Sequence, residues 1–321
     1  MRGTLPWRMR LFAAVAPAIE WDAVTPEQAV ELRHAQNRKL DSALGRLVGG
    51  RPDPGADIGT HTLELPDREL GIRLCRPRAG GAGLPLIVAF HGGGFIGGTP
   101  AQDDWLLTRL AARLPAVVAS VDYRLAPEHP LPAQITDAHD AVPRLAELAP
   151  GWGADPNRLV LLGSSAGATL AARTASDPGL RVAAQVLINP QLDWTERLFD
   201  YPSFTENAGA PTASPANCRA FRRLALPASV DGRALSPLHA GPPSSAPALI
   251  LSAGLDTLED QAAAYADRLR LAGTDVTLVR YPAATHAFLS MPGLVPAART
   301  ARADILGFLG ERLTTGPLAR S

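Results

Sequence analysis

Short apolar runs alternate with longer segments of helical periodicity along most of the chain. We predict eight strands, at 61–65, 70–76, 86–90, 116–121, 159–162, 183–188, 248–252 and 276–280. We predict five helices among and after them, at 103–113, 135–148, 166–175, 258–271 and 297–313. Strands that alternate with helices in this way favour a mostly parallel sheet covered by helices on both faces, so the pattern predicts an α/β fold.

The first 55 residues do not follow this alternation. Thr25, Pro26 and Gln28 form a capping-box pattern, which predicts a helix that ends near residue 47. The run 48–59 is rich in Gly, Pro and Asp and is predicted to be a linker. The N-terminal region is therefore predicted to be a helical attachment to the main body.

A second irregular region lies late in the chain. About 60 residues separate the strand at 183–188 from the strand at 248–252, which is far longer than an ordinary connecting loop. One helix is predicted within this interval, at 215–226. We therefore predict three parts: an N-terminal helical cap segment at 1–55, an inserted cap segment at 193–235, and an α/β domain built from 56–192 and 236–321.

The N-terminus resembles a signal peptide only weakly. Arg2, Arg8 and Arg10 precede an apolar stretch at 11–19, but Pro17 interrupts it and no small-x-small cleavage site closes it cleanly. We interpret this stretch as an amphipathic helix packed on the body of the protein. No run reaches the roughly 18 to 20 apolar residues of a membrane span. We therefore predict a cytoplasmic protein that has no membrane span.

Charge and cysteine content narrow the class of partner. The chain has 31 basic and 31 acidic residues, so its net charge indicates neither a nucleic acid nor an anionic membrane as partner. Cys75 and Cys218 lack the spacing of a metal or redox motif and are predicted to be buried thiols. The partner is predicted to be a small, mostly neutral molecule.

A nucleophile elbow is the strongest chemical signal in the sequence. Gly163-Ser164-Ser165-Ala166-Gly167 is a GxSxG motif that follows the strand at 159–162 and opens an Ala-rich helix. In this setting the serine lies on a strained turn with its hydroxyl projecting above the sheet. The register selects Ser165 rather than Ser164 as the nucleophile.

A glycine-rich element follows an earlier strand. His91-Gly92-Gly93-Gly94-Phe95 comes directly after the strand at 86–90, where its backbone N–H groups are not covered by side chains. Such a loop and the amide of the residue after the nucleophile, here Ala166, form the oxyanion hole of lipases and esterases. The two motifs together favour acyl chemistry over a simple flexible turn.

The nucleophile needs a base and an orienting acid that follow it in the order Ser, Asp or Glu, His. His286 follows the last strand and fits the base, whereas His239 lies in the inserted region and is interpreted as structural. Asp256 follows the strand at 248–252 and fits the acid. Glu259 and Asp260 are interpreted as a solvated helical face. This mechanism requires no metal and no cofactor.

Together, HGGGF, the run DYRLAPEHP at 122–130, the elbow and the SPL run at Ser236 resemble the hormone-sensitive-lipase family of bacterial esterases. The resemblance covers nearly the whole chain from about residue 60. It implies an α/β-hydrolase fold and carboxylesterase activity on short to medium acyl esters. It also implies that Gly93 and Gly94 donate to the oxyanion and that the DYRLAPE run is structural. A cap built from the two irregular regions and a homodimer are further expectations from the resemblance.

The chain departs from the family pattern at several positions near the predicted site. Ser164 stands where Asp is usual and Ala168 where Gly is usual, while Thr257 and Ala287 replace the Pro and Gly that follow the acid and the base. No triad member is lost. These changes bear on substrate preference more than on the reaction.

Other readings of the same residues stay open at this point. Acyl transfer, lactone opening and amide cleavage share the acyl-enzyme, and a binding module on the same fold is a rival of another class. Five aromatic residues in the inserted region are interpreted either as an acyl pocket or as a small core of the cap: Trp194, Phe199, Tyr201, Phe204 and Phe221.

Overall fold

The computed structural model describes residues 1–40 and 42–314. Eight strands form one sheet: β1 Ala56–Glu64, β2 Glu69–Pro77, β3 Leu84–Phe90, β4 Val117–Asp122, β5 Ala154–Ser164, β6 Ala184–Ile188, β7 Ala248–Leu255 and β8 Val276–Thr285. Their order is β1-β2-β4-β3-β5-β6-β7-β8. The first two pairings are antiparallel and all the others are parallel, which confirms the predicted fold class.

Helices precede the sheet, cover its faces and fill the insertion. Within the described residues they are α1 Trp7–Val15, α2 Pro26–Leu40, α3 Ala43–Gly49, α4 Asp104–Arg113, α5 Ala133–Leu148, α6 Ala166–Ala175, α7 Pro202–Glu206, α8 Pro215–Ala225, α9 Gly232–Leu235, α10 Glu259–Leu271 and α11 Ala297–Thr314. None of these helices has both the length and the apolar character that a membrane crossing needs.

The core lies in two layers, one on each face of the sheet. Along β3, Leu86, Val88 and Phe90 pack into the layer that includes α5, α6 and α10. Ile87 and Ala89 point to the opposite layer, which includes α4 and α11. Neighbouring side chains of a strand face opposite ways, so a strand buried on both sides must be apolar at nearly every position.

Two details of the predicted N-terminal region are wrong. The linker predicted over 48–59 ends earlier, because residues from Ala56 onward pair with β2 and extend the hairpin. The single helix predicted to end near residue 47 is two helices. Ser42 accepts a hydrogen bond from the amide of Gly45 and so caps the start of α3. A serine side chain that serves as an N-cap competes with continuation of the preceding helix.

The N-terminal and inserted regions contact each other above the sheet. The ring of Trp21 meets the ring of Phe221, on α8, edge to face at 5.1 Å. Arg223, also on α8, donates to the carbonyl of Val24 at 3.0 Å. At the other end of the N-terminal region, α1 buries Met9 against the layer that contains α11. The contacts of Trp21 and Val24 with α8 join the two irregular regions at the edge of the sheet where the strands end.

Candidate active site

Ser165 occupies a strained turn between β5 and α6. Its backbone has φ 53° and ψ −119°, a region that a residue with a side chain seldom adopts. The surroundings hold it there: the Ser165 amide donates to the carbonyl of Ile188 at 2.9 Å, and its own carbonyl accepts from Gln191 at 3.1 Å. The strain places the hydroxyl at the carboxyl end of the parallel strands, where ligands bind in such sheets.

The structure brings Ser165, His286 and Asp256 together in one chain of hydrogen bonds. The Ser165 Oγ lies 2.8 Å from Nε2 of His286. The Nδ1 of the same ring lies 2.6 Å from Oδ2 of Asp256. With Nδ1–H donating to the carboxylate, Nε2 carries a lone pair and accepts the hydroxyl proton. A serine held in this way is a nucleophile with its base in place.

Asp256 is held by groups on two neighbouring elements. The amide of Leu258 donates to its Oδ1 at 2.9 Å. The side chain of Asn207 donates to the carbonyls of Asp256 at 2.9 Å and of Gly254 at 3.2 Å, so it clamps the loop after β7. Sequence analysis did not identify Asn207, because no local pattern marks a contact between residues this far apart.

The other acidic and histidine candidates have different partners. Glu259 and Asp260 do not form a solvated face as predicted. Glu259 is buried and forms ion pairs with Arg2 and Arg280, and Asp260 lies 2.7 Å from the Arg2 guanidinium. His239 lies 2.9 Å from Asp193, apart from Ser165.

The glycine-rich loop lies directly beside the nucleophile. A Cβ placed on Gly92 would be 3.2 Å from the Cβ of Ser165. Gly93 and Gly94 have φ values of 132° and 61°. Within the described residues, the amides of Gly93, Gly94 and Ala166 have no hydrogen-bond acceptor in the protein. Three uncommitted donors beside a nucleophile can bind negative charge that develops on a substrate oxygen.

A buried aromatic pair supports this loop from below. The rings of His91 and Tyr123 stack at 4.3 Å, and the Tyr123 hydroxyl donates to the carbonyl of His91 at 2.7 Å. Burial lowers the pKa of His91 to about 4, so the ring is neutral at physiological pH. The amide of Ala126 donates to the carbonyl of Phe95 at 2.8 Å. The DYRLAPE run thus holds both ends of the glycine-rich loop.

Four of the five aromatic residues of the inserted region divide into two groups, while Tyr201 packs against the main core. Phe199 and Phe204 pack on each other at 5.1 Å in a small separate cluster, as a core of the cap would. Trp194 is fully buried and stacks on Phe95 at 4.9 Å. Phe221 lies directly on the glycine-rich loop, since a Cβ on Gly94 would fall 2.1 Å from its ring. Phe221 therefore lies at the site, and Trp194 packs against the residue that ends the glycine-rich loop.

Groups that could serve metal or thiol chemistry are scarce in the described part of the chain. Residues 1–40 and 42–314 contain no cluster of three His, Cys, Asp or Glu side chains arranged to hold a metal ion. Cys75 and Cys218 are buried and unpaired with each other, and burial raises the pKa of each thiol to about 12. Both thiols are protonated at neutral pH and are poor nucleophiles.

Asp103 connects the region after the glycine-rich loop to the turn after His286. It is buried, and its Oδ1 accepts a hydrogen bond of 2.6 Å from the hydroxyl of Ser290. Burial raises the pKa of Asp103 from its ordinary value of 3.8 to about 6. The sequence contains no signal for this carboxyl, because its burial depends on packing between distant segments.

The raised pKa of Asp103 makes the stability of the protein depend on pH. The folded state binds a proton at Asp103 more tightly than the unfolded chain does, so the contribution of this carboxyl to the free energy of unfolding falls as pH rises from about 4 to about 6. As pH rises from 4 to 7, we expect the free energy of unfolding of Asp103→Asn, measured with urea, to increase by about 2 kcal/mol relative to that of the natural chain. A difference between the two proteins that is independent of pH would contradict this assignment.

Comparison with known proteins agrees with this geometry. A family model described as alpha/beta hydrolase fold matches residues 87–290. The chain is 36% identical over 235 residues to esterase LipI of Mycobacterium tuberculosis, which covers 68% of this chain and 70% of the relative. It is 33% identical over 286 residues to an ethyl acetate hydrolase of Pseudomonas putida, covering 86% of this chain and 88% of the relative.

A solved structure is similar over almost the whole chain. The ester-hydrolase EH1AB1 from the metagenome of Lake Arreo, in complex with a bipyridine phosphonate derivative, matches with a TM-score of 0.85 and 30% identity. The match covers 97% of this chain and 100% of that one. The chain therefore belongs to the α/β-hydrolase fold family, in the hormone-sensitive-lipase-like group that its motifs indicate.

Proposed function

We propose that the protein is a serine carboxylesterase that works through an acyl-enzyme. The observation that carries this proposal is the unbroken hydrogen-bond chain from Ser165 through His286 to Asp256, next to three uncommitted backbone amides. Relatives named as an esterase, at 36% identity, and as an ethyl acetate hydrolase, at 33% identity, support the reaction class.

The geometry supports a two-step reaction. His286 Nε2 takes the hydroxyl proton as Ser165 Oγ bonds to the acyl carbon, and the resulting oxyanion accepts hydrogen bonds from the amides of Gly93, Gly94 and Ala166. His286 then gives the proton to the ester oxygen, so the carbon–oxygen bond breaks and the alcohol leaves. In the second step water attacks the acyl carbon, His286 removes its proton, and the free acid departs as that proton returns to Ser165.

Asp256 supports both steps as an orienting group for His286 and takes no proton itself. Its carboxylate fixes the Nδ1–H tautomer of His286 and stabilises the imidazolium that forms in each step.

The contacts around the site support a substrate with a short to medium acyl group. Phe221 covers Gly94 from the cap side, and the buried Trp194 stacks on Phe95 at the end of the glycine-rich loop. Bulky rings this close to the oxyanion donors leave limited room for an acyl chain. We propose that residues 1–55 and 193–235 form the cap that limits this room. A cytoplasmic location and a homodimer stay predictions.

Hydrolysis of a series of chromogenic esters tests the proposed function. With acyl chains of two to sixteen carbons, we expect kcat/KM to be highest among the short chains and to decline along the series. A matching amide series and a lactone measure the rival reactions on the same triad. Folded protein that turns over none of the esters, or that prefers the amides or the lactone, would contradict the proposal.

A further inference from the structure

Exposed apolar side chains are concentrated in one part of the described chain. Within residues 1–40 and 42–314, every large apolar side chain that is exposed, apart from Leu271, lies in the first 47 positions. Three of them are Trp7, Leu11 and Val15, which are spaced four residues apart on α1 and are 60% to 80% exposed. Residues at this spacing share one side of a helix, so α1 presents an apolar stripe to solvent while Met9 is buried against the core.

A second exposed apolar pair lies on α3. Leu44 and Leu47 are 64% and 71% exposed. The two helices flank the same loop: Arg8 on α1 donates to the carbonyl of Gly293 at 3.1 Å, and the amide of Gly293 donates to the carbonyl of Val48 at 2.9 Å. We call Trp7, Leu11, Val15, Leu44 and Leu47 the N-terminal apolar surface.

The two segments that carry this surface are positively charged, although the whole chain is neutral. Residues 1–19 contain three arginines and no acidic residue, and residues 38–51 contain four basic residues and one acidic residue. Arg2 is engaged by Glu206, Glu259 and Asp260. Arg8 and Arg10 form no ion pair within the described residues. Their charge is therefore available to a partner.

The charge decides between two occupants of this surface. A symmetric contact between two copies would bring the same patch of each chain together, so the positively charged segment of one copy would face that of the other. Like charges with few acidic residues near them oppose that contact. An anionic lipid surface offers the opposite charge to the arginines and an apolar layer to the exposed side chains.

We propose that the N-terminal apolar surface binds an anionic lipid surface. Trp7, Leu11 and Val15 enter the boundary between headgroups and acyl chains, with α1 parallel to the membrane plane. Arg8 and Arg10 contact lipid phosphates through their long side chains. The binding is peripheral and depends on no residue of the Ser165 site. It therefore goes beyond the proposed function and is tested independently of it.

Vesicle binding by the full chain tests this proposal. We expect cosedimentation with phosphatidylcholine vesicles that contain about 30 mol% phosphatidylglycerol, weaker binding to pure phosphatidylcholine, and loss of the difference at high salt. Among the five tryptophans only Trp7 is exposed, so a blue shift of the fluorescence on binding reports its transfer out of water.

Variants separate the surface from the rest of the protein. Leu11→Asp with Val15→Asp should weaken vesicle binding at least about tenfold, and Arg8→Glu with Arg10→Glu should remove the preference for anionic lipid. Leu271→Asp is the matched control, since Leu271 is 90% exposed but far from this segment in sequence, and it should bind as the natural chain does. The far-UV circular dichroism spectra of these variants should match that of the natural chain, which separates a loss of binding from a loss of folding.

Three outcomes would overturn the proposal. The first is that the natural chain binds neither vesicle, and the second is that the Leu11 and Val15 variant binds as tightly as the natural chain. Sedimentation velocity covers the third outcome: a dimer that this variant converts to a monomer, without vesicle binding by the natural chain, would assign the surface to a second copy instead.

Discussion

Replacing Ser165 by alanine is expected to lower kcat for ester hydrolysis about 10⁶-fold, which is the size of loss typical when a triad serine is removed. Without the hydroxyl, no acyl-enzyme forms, because His286 then has no group to deprotonate next to the acyl carbon. The residual rate reflects water that reacts in the site, assisted by the backbone amides. Steady-state kinetics on a short-chain ester, with thermal unfolding recorded in parallel, measures the effect.

Ser164→Ala is the matched control for this result. Ser164 is also buried and precedes the nucleophile by one residue, but it belongs to β5 and lies outside the strained turn. We expect its kcat to stay within about tenfold of the natural value, as is usual for a change that leaves the reacting groups in place. If the Ser164 variant is inactive and the Ser165 variant active, the register of the elbow is wrong.

Asp256→Asn has the second largest expected effect, a loss of about 10⁴-fold in kcat. An amide at this position can donate a hydrogen bond to Nδ1 of His286, which favours the ring tautomer with the proton on Nε2. Nε2 then has no lone pair to accept the proton of Ser165. The side chain keeps its size and its surroundings, so the loss falls on kcat while the protein stays folded.

Asp260→Asn distinguishes the triad acid from a second aspartate four residues further along the chain. Asp260 lies at the start of α10 and pairs with Arg2 instead of His286. This variant should lose less than about tenfold in kcat and should be less stable, because the Arg2 guanidinium loses a charged partner. Equal losses of kcat in the Asp256 and Asp260 variants would contradict the assigned roles.

The elements of the sheet were predictable because their signals are local. Runs such as 86–90 and 159–162 are apolar throughout, and burial on both faces of a sheet demands that composition. The errors occur where tertiary contacts override local preference. Residues 56–59 look like a linker, yet they gain backbone hydrogen bonds from β2, and no property of the run itself indicates that partner.

The residues of the proposed site were predictable from the sequence to a similar extent. Ser165, Asp256 and His286 each follow a strand in the chain order of this fold, so their positions at one edge of the sheet follow from topology. Asn207 and Asp103 were not found. Their contacts with Asp256 and Ser290 join segments that are distant along the chain, and a single sequence records no such pairing. The same reason explains why Glu259 and Asp260 were wrongly interpreted as solvated.

The positive φ of Ser165 serves the reaction but lowers the stability of the fold. A glycine at this position would adopt the same turn without steric penalty, and strain of this kind costs on the order of 1 to 3 kcal/mol. Selection for thermal stability alone would therefore favour loss of the nucleophile. Random libraries of this chain that are screened only for folded protein are expected to accumulate glycine at position 165, so a screen for robust variants needs an activity filter at the same time.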